Sequence, residues 1–455
     1  MIDTQAIRTR ILHLALHGKL VPQNPSDDSA RDLVSALCKK IKGQSFQNNI
    51  SQQEIPYDIP GSWVWCRLSD IGTTNIGLTY HPEDVSANGT IVARSSNIVN
   101  NKMDYTDLVK VTCPIRDNQF LNTNDILICA RNGSKALIGK CAIFESTPKT
   151  VAFGAFMAVF RTPLYRFVYY YFNSQVFKRN FFNDESKQIN QVTQSILKES
   201  LIPIPPIQEQ ERITGKIEQS FSILDTIDEL QAQYADNLTA LNSKLIDAAI
   251  QGKLTEQLPE DGTAEELYQQ IQEEKQKLIK EGKIKKQKPL PEISDEEIPF
   301  DIPANWKWVR IGEIFTLQSG KNISATSIKK DKDDNCKYMC YGGNGLRGFV
   351  DSYNVEGYYA IIGRQGALCG NINFAEGKFY ATEHAVVVYE YANTCVTWAG
   401  VFLRALNLNQ YATSVAQPGL AVGKINNVLI PLPPLAEQKR IVQKLDEILP
   451  ICEKL

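Results

Sequence analysis

Hydrophobic residues recur every three or four positions between residues 203 and 254 and predict one long helix. Pro203, Pro205 and Pro206 end whatever precedes it, because proline neither donates to a strand ladder nor continues a helix. Gly252 marks its C-terminal end. Roughly 40 residues at about 1.5 Å each make a rod of roughly 60 Å, which is too long for one globular core. The apolar stripe of this rod therefore favours packing against a partner helix.

The two ends of the chain repeat the sequence of this helix and can supply that partner. Residues 431–455 repeat residues 203–227, and residues 10–20 repeat residues 244–254, in both cases without gaps. This arrangement is a circularly permuted two-fold repeat, which predicts an antiparallel, coiled-coil-like pairing of helices. The apolar positions predicted at the helix interface are Ile213, Ile217, Phe221, Leu224, Leu230, Leu238, Leu241, Leu245, Ile441 and Leu445.

A second repeat opens two similar regions of the chain. The segment IPYDIPGSWVWCRLSDI at residues 55–71 recurs as IPFDIPANWKWVRIGEI at residues 298–314. Residues before proline avoid the helical region, so each copy predicts an extended segment followed by a W-x-W-x-R strand. Indole rings bury a large apolar area, and this favours core anchoring over the alternative of stacking on bases. The tryptophans concerned are Trp63, Trp65, Trp306 and Trp308.

Each of these regions continues as an α+β domain of mixed strands and short helices. In the first, the pattern predicts strands at residues 90–98, 125–130, 140–144 and 151–160 and a helix at 165–182. In the second, it predicts strands at residues 357–363, 370–374 and 384–389 and a helix at 397–407. The two regions are alike at their edges and dissimilar inside, which indicates a shared frame that carries different binding surfaces.

The predicted segments follow from these two repeats. They are residues 1–20 (N-terminal half of the repeated helix), 21–54 (connector), 55–206 (first α+β domain), 207–254 (central helix), 255–297 (charged helical linker), 298–434 (second α+β domain) and 435–455 (C-terminal helix). In the charged linker, lysines are partly cancelled by glutamates, which predicts a solvated connection between the domains. Non-specific contact of its lysines with DNA is the alternative.

Composition and charge narrow the functional classes only slightly. The net charge of −2 provides no global basic field, which counts weakly against DNA as a partner. The ten cysteines show no paired framework, and Cys336 and Cys340 have no second pair at zinc-ligand spacing, so free thiols in a reducing cytosol are favoured. His13 and His17 lack a third ligand. Without a signal peptide or a run of about 18 apolar residues, a cytoplasmic location and no membrane partner are predicted.

The sequence contains none of the common catalytic motifs. It has no G-x-x-x-x-G-K-[ST] phosphate loop, no H-E-x-x-H and no G-x-S-x-G. The tetrapeptides IPPI and LPPL lack the Asn or Asp that opens the catalytic motif of amino-methyltransferases. The glycines of YGGNGLRG are not a dinucleotide fingerprint, since no helix follows them. We therefore predict no active site and no metal site.

The chain has two variable domains, each of which begins with IPxxIPxxWxWxR and ends with a Pro-Pro-x-x-Glu-Gln element. In these motifs the chain resembles the specificity subunit of Type I restriction-modification systems. The likeness spans nearly the whole chain. It implies two target-recognition domains that each read one half of a bipartite double-stranded DNA sequence, with the helices as a ruler for half-site spacing. It also implies docking of two methyltransferase subunits and of motor-nuclease subunits. Catalysis, S-adenosylmethionine, ATP and Mg²⁺ then belong to those partners, and this chain has no cofactor. The C-terminal repeat ends at Leu455. Together with the N-terminal half it leaves about two helical turns of the central helix without a counterpart, and we expect this to bear on ruler length and assembly.

Residues able to read bases stand on predicted loops beside strands, where Arg, Lys, Asn and Gln side chains can reach a major groove. Turns or surface positions are the alternative for each of them. The candidates in the first domain are Arg94, Asn97, Arg131, Asn132, Lys135, Gln188 and Gln191. The candidates in the second are Asn344, Arg347, Arg364, Gln365 and His384. The ARNG and IGRQG segments look like counterparts, since each is an Arg-polar-Gly turn after an apolar strand.

Other functional classes fit parts of the same pattern. A coiled-coil adaptor that holds two protein-binding modules would need the helices and domains but would not bind DNA. A self-contained nuclease would need acidic and metal motifs that the sequence lacks. A specificity subunit that assembles but recognises no sequence is a further alternative.

Overall fold

The computed structural model describes residues 1–147, 149–182, 191–366, 368–413 and 419–454. The chain forms two compact units, Met1–Ala232 and Gln233–Leu455. Each unit contains one of the two α+β domains predicted from the sequence, and the mixed helix and strand content confirms that class.

The first unit begins with two helices and continues with short strands. Its helices are α1 (Thr4–Leu16), α2 (Ala30–Lys42), α3 (Leu68–Ile71), α4 (Tyr165–Phe172), α5 (Gln175–Phe182), α6 (Gln194–Glu199) and the start of α7 (Ile207–Ile250). Its strands are β1 (Val64–Arg67), β2 (Thr73–Ile76), β3 (Val85–Ala93), β4 (Ile98–Val99), β5 (Lys102–Met103), β6 (Val109–Val111), β7 (Ile126–Cys129), β8 (Cys141–Ile143), β9 (Val151–Phe153), β10 (Met157–Arg161) and β11 (Leu201–Ile204).

The strands of the first unit form several small sheets. A four-stranded sheet has the order β2-β10-β7-β8, and a three-stranded sheet has the order β6-β3-β9. Strand β1 pairs with β11, and β4 pairs with β5. The strand predicted at residues 151–160 is two strands separated by a turn, and the helix predicted at residues 165–182 is two helices separated at Asn173 and Ser174. The main core lies between the four-stranded sheet, helices α4 and α5, and the helices α1 and α2.

The second unit repeats this plan with longer strands. Its helices after α7 are α8 (Ala264–Lys280), α9 (Ile311–Ile314), α10 (Val396–Ala405), α11 (Val422–Asn426) and α12 (Leu435–Lys454). Its strands are β12 (Lys307–Arg310), β13 (Thr316–Ser319), β14 (Tyr338–Gly342), β15 (Gly345–Val350), β16 (Val355–Gly363), β17 (Ile372–Ala381), β18 (Ala385–Tyr389) and β19 (Leu429–Leu432). One six-stranded sheet has the order β13-β18-β16-β17-β14-β15, and β12 pairs with β19.

Strand register shows that the two units share one frame. In the first unit β10 lies between β2 and β7, with Ala158 opposite both Ile76 and Ile128. In the second unit β18 lies between β13 and β16, with Val386 opposite Ser319 and Ile362. The strand after each IPxDIP segment pairs with the strand that carries the prolines, β1 with β11 and β12 with β19. The internal repeat predicted from the sequence is therefore confirmed in three dimensions.

Helix α7 has 44 residues and is continuous, as its apolar periodicity predicts. In the first unit α1 packs antiparallel to the beginning of α7. The Thr4 hydroxyl donates to Asp228 at 2.6 Å, and the Arg8 guanidinium pairs with Asp225 at 2.8 Å. Gln23, beyond the end of α1, reaches Glu209 at 2.6 Å. The N-terminal repeat therefore partners the central helix.

The apolar stripe of α7 is covered unevenly, and the residues predicted at the helix interface differ in their burial. Ile213, Ile217 and Leu224 are buried, and the first two lie in the core of the first domain. Phe221 is half-buried under Arg8, while Leu230 and Leu241 are exposed. Leu238 and Leu245 are half-buried, and Leu245 packs against the core of the second unit. That core also buries Ile441 and Leu445 of α12.

Helix α8 corrects the expectation of a solvated linker. A capping box of Thr263 and Glu266 begins this helix, and its apolar side chains Leu267 and Ile271 are buried in the core of the second unit. The Lys275 ammonium is also buried and donates to the carbonyl oxygens of residues 312, 313 and 315 at 2.8, 3.0 and 3.3 Å. The charged segment therefore contains a helix that belongs to the second domain.

All ten cysteines are free thiols, as the sequence predicts. Across the parts of the chain that the structure describes, no helix is both long enough and apolar enough to cross a membrane.

Candidate nucleic-acid interface

In the first domain, the loop after β7 and the turn between β9 and β10 form one surface. The N–H groups of Ala130 and Arg131 both donate to the carbonyl oxygen of Phe156, at 2.9 and 3.0 Å. The turn is tied to β3 because Gly154 N–H donates to the carbonyl of Ala93 at 2.9 Å. The Phe156 ring is 62% exposed, and the Arg131 guanidinium lies 5.7 Å from its centroid. We call this the first reading surface.

Asn132 connects the first reading surface to the loop after β3. Its side-chain amide donates to the Ser95 hydroxyl at 3.0 Å. In that loop Asn97 is buried, accepts from Arg94 N–H at 2.9 Å and donates to the carbonyls of Asp104 and Asp107. The Arg94 guanidinium pairs with Asp107 at 2.8 Å. Asn97 therefore stabilises the loop. This corresponds to the alternative given for each candidate in the sequence analysis, a turn position instead of a base contact.

The remaining candidates of the first domain lie nearby in the chain or outside the described residues. Lys135 is exposed in the loop that follows Asn132. Gln191 is also exposed, and the next residue, Val192, donates its N–H to the carbonyl of Ala130 at 2.8 Å. Gln191 is thereby brought beside the loop after β7. Gln188 lies outside the described residues.

The second domain builds a matching surface, which we call the second reading surface, from the loop after β16 and the turn before β18. The N–H group of Arg364 donates to the carbonyl oxygen of His384 at 2.8 Å, as Ala130 does to Phe156. Gly343 lies against the same backbone, where an added Cβ would sit 2.8 Å from the carbonyl oxygen of Gln365. The segment 342–345 therefore needs a residue without a side chain at this close approach.

The side chains of this second reading surface are mostly polar. Asn344, Arg347 and Gln365 are exposed. His384 is half-buried, with its Nε2 atom 3.2 Å from the Glu383 carboxylate. Arg364 is used inside the domain, because its Nε atom donates to the carbonyl of Leu420 at 3.2 Å.

Strand pairing shifts the predicted correspondence of ARNG with IGRQG by one residue. Cys129 stands opposite Met157, and Gly363 stands opposite Ala385, in equivalent strands of the two frames. Arg364 therefore corresponds to Ala130, and Gln365 corresponds to Arg131. By the same register, His384 corresponds to Phe156. Sequence reasoning missed Phe156, since the run VAFGAFMAVF offers no polar residue to distinguish an exposed position from a buried one.

The four tryptophans of the W-x-W strands are covered by other residues of their own domains. Trp63, Trp65 and Trp306 are buried, and Trp308 is half-buried. The indole N–H of Trp63 donates to the Glu209 carboxylate at 2.9 Å, and that of Trp306 donates to Glu437 at 2.7 Å. Burial raises the pKa of Glu209. Trp63 and Trp306 therefore anchor the cores of the two domains, as predicted.

Comparisons with known proteins show the family to which this chain belongs. A family model described as the Type I restriction modification DNA specificity domain matches residues 60–234 and again residues 303–453. The specificity subunit of the Type I restriction enzyme EcoAI from Escherichia coli is 26% identical over 528 residues, covering 99% of this chain and 89% of that protein. The EcoEI specificity subunit from Escherichia coli is 25% identical, with the same two coverages. The EcoprrI specificity subunit is 47% identical, over 30% of this chain and 34% of its own length.

Solved structures show the same fold. A chain from a structure titled for complex assembly and conformational transition of the type I R-M system has a TM-score of 0.60 at 18% identity, covering 88% of this chain and 93% of its own. The HsdS subunit from Thermoanaerobacter tengcongensis has a TM-score of 0.50 at 17% identity, covering 88% of this chain and 92% of its own.

Two copies of one α+β frame, each with a different surface at the same edge, define a tandem recognition protein. With its family model matched in both copies, the chain belongs to the family of Type I restriction-modification specificity subunits, with two recognition domains.

Proposed function

We propose that each recognition domain reads one half of a bipartite double-stranded DNA target through its reading surface. The observation that carries this proposal is the difference between two equivalent positions in one frame. Arg131 and Phe156 in the first domain correspond to Gln365 and His384 in the second. A shared frame with different side chains at the same edge suits the reading of an asymmetric sequence.

The side chains suit direct readout of base edges. An Arg side chain pairs with guanine O6 and N7, and a Gln side chain pairs with adenine N6 and N7. Exposed Arg131, Lys135 and Arg347 provide positive charge beside these groups, although the whole chain carries a net charge of −2. Phosphate contacts shared with basic partner subunits would supply the remaining attraction.

We propose that the helices set the spacing between half-sites and dock the catalytic partners. Leu230 and Leu241 of α7 are exposed apolar side chains suited to such docking. Two methyltransferase subunits would bind this chain and carry out base flipping and methyl transfer from S-adenosylmethionine. Motor-nuclease subunits would supply the steps that depend on ATP and Mg²⁺. In this proposal the chain itself is non-catalytic and holds no cofactor.

Selection of DNA from a random pool tests the proposal directly. The chain would be reconstituted with its methyltransferase subunit, and bound duplexes would be sequenced after several rounds. We expect two short conserved half-sites separated by a gap of fixed length. Binding without an enriched sequence would contradict recognition, and the absence of salt-dependent binding would favour the coiled-coil adaptor.

Single substitutions assign the half-sites to the domains. Arg131→Ala should relax the selected sequence in one half-site only, and Gln365→Ala should relax it in the other. Each good bidentate contact contributes about 1–3 kcal/mol of discrimination, so the change in base preference should be measurable. Equal loss of affinity for specific and unrelated DNA would contradict a base-reading role for either residue.

A further inference from the structure

Phe156 lies in the turn between β9 and β10, and its aromatic ring is exposed to solvent. Its ring is 62% exposed, whereas Phe153 and Phe160 on the flanking strands are fully buried. Leaving a phenylalanine in water forgoes the roughly 1.5–3 kcal/mol that its burial would contribute. An exposed ring beside the Arg131 guanidinium on the first reading surface is therefore a candidate contact for a ligand.

The backbone around Phe156 is rigidly fixed. Its carbonyl accepts two N–H groups from the loop after β7, and the Met157 N–H donates to the Gly154 carbonyl at 2.8 Å. The turn is thus bonded to both of its neighbours, and the backbone that carries the ring is held in place before any ligand arrives. Pre-organised groups of this kind lose little entropy on binding.

Arg131 and Phe156 form one unit because the guanidinium lies over the ring, 5.7 Å from its centroid. Successive base pairs of a duplex are about 3.4 Å apart along its axis. The two side chains therefore lie within two base-pair steps of each other, which is close enough for them to contact adjacent base pairs. Apolar groups such as a phenyl ring contact the C5-methyl group of thymine, which projects into the major groove.

We propose that Phe156 reads the C5-methyl group of a thymine in the base pair next to the one that Arg131 reads. This inference rests on the proposed function and makes Phe156 a specificity-determining residue of the first domain. The second domain has His384 and Gln365 at the equivalent positions, and both are polar. Those two side chains therefore cannot make the apolar contact that Phe156 makes, and a dependence of the second half-site on a thymine methyl group would need another exposed apolar residue, such as Leu346.

Replacing thymine with deoxyuridine removes the methyl group and leaves the base-pairing groups intact. The reconstituted complex with the methyltransferase subunit would be titrated with duplexes in which each thymine of the selected target is replaced in turn. We expect one replacement, in the half-site of the first domain, to weaken binding about four-fold, the effect of one apolar carbon removed from a contact. The effect of any replacement in the other half-site should be the same in the wild type and in Phe156→Ala.

Two variants decide whether Phe156 is the cause. Phe156→Ala should bind the normal target about as weakly as the wild type binds the deoxyuridine duplex, with no further loss on that duplex. His384→Ala, at the equivalent position in the second domain, should keep the wild-type sensitivity to deoxyuridine.

The outcomes separate this inference from the proposed function. A wild-type complex that selects a defined sequence but tolerates deoxyuridine at every position would overturn the role of Phe156 alone. A Phe156→Ala variant that retains the full sensitivity would overturn it as well. A complex that selects no sequence would instead overturn the proposed function.

Discussion

Trp63 donates its indole N–H to the carboxylate of Glu209 at 2.9 Å, and Trp306 makes the same bond with Glu437 at 2.7 Å. Each bond joins the start of a recognition domain to the first turn of the helix that follows it. The second carboxylate oxygen accepts from Gln23 in the first unit and from Thr255 in the second. The Glu of the Pro-Pro-x-x-Glu-Gln element is thus a buried acceptor that fixes the joint between domain and helix.

Replacing Glu209 with Ala should loosen this joint. The substitution leaves the buried Trp63 N–H without an acceptor, while the Gln23 amide keeps its bond to the Gly18 carbonyl. An unsatisfied buried donor costs about 1–3 kcal/mol. We expect the free energy of unfolding of the first unit to fall by about 2 kcal/mol. Hydrogen exchange of the amides in β1, which follows Trp63, should accelerate in parallel. Glu209→Gln, which keeps an oxygen acceptor, should lose much less, and equal losses in both variants would contradict this account.

Gly18 should be far less tolerant of substitution than Gly43, although both have a left-handed backbone, with φ of +65° and +69°. A Cβ on Gly18 would lie 2.3 Å from Cγ of Pro60, while one on Gly43 would meet no atom within 4 Å. Gly43→Ala should therefore cost about 1 kcal/mol from backbone strain alone. Gly18→Ala adds overpacking and should cost about 3 kcal/mol.

Denaturant unfolding of the two glycine variants measures this difference. Gly252→Ala provides a second test, because its Cβ would lie 2.4 Å from Cγ of Pro303 in the equivalent position. It should resemble Gly18→Ala and not Gly43→Ala. Identical midpoints for all three variants would show that the contact of the helix end with the proline ring is unimportant for stability.

Because of Lys275, the free energy of unfolding of the second unit should increase with pH in the alkaline range. Burial lowers the pKa of its ammonium from the usual 10.5 to about 8. Between these two values the unfolded chain binds a proton that the folded chain has released, so the free energy of unfolding increases with pH. The increase between pH 8 and pH 9 should be about 1 kcal/mol from this lysine.

A comparison of Lys275 with Lys275→Met isolates that contribution. Methionine retains the apolar stem without a titrating group, so the difference in unfolding free energy between the two proteins should change across this pH interval. Below pH 7 both states of the wild type hold the proton, and the difference should be constant. A difference that stays constant up to pH 9 would place the pKa of Lys275 near its ordinary value.

The long helix and the repeated frame could be predicted because their signals are local. Apolar spacing along residues 207–250 and the prolines that precede them identify α7 without knowledge of any tertiary contact. The start of helix α8 can also be predicted from the sequence, because Thr263 and Glu266 form a capping box ahead of apolar Leu267 and Ile271. The packing of α8 on the second domain could not be predicted, because it depends on surfaces built by residues distant in the sequence. The charged composition of the segment indicated a solvated helix instead.

The reading surfaces could be predicted only as loops. The match of Gln365 with Arg131 depends on strand register, which is set by pairing between β16 and β18 and by pairing between β7 and β10. If the alignment of the two domains is shifted by one residue, the residue equivalent to Arg131 becomes Arg364, which bonds inside the domain, instead of the exposed Gln365. The turn before Phe156 interrupts a strand in an apolar run, and no local rule distinguishes the ring that faces solvent from those that face the core.

The most direct test of the role of α7 is to insert one heptad after Leu230. The variant and the wild type would each be co-expressed with the methyltransferase subunit, and the methylated bases in the cells would be mapped. One heptad lengthens the helix by about 10 Å, close to the length of three base pairs. The wild type should methylate a split motif, and the variant should methylate the same two half-sites separated by a gap about three base pairs longer. Methylation of the original motif with its gap unchanged would contradict the claim that this helix sets the distance between two independently read half-sites.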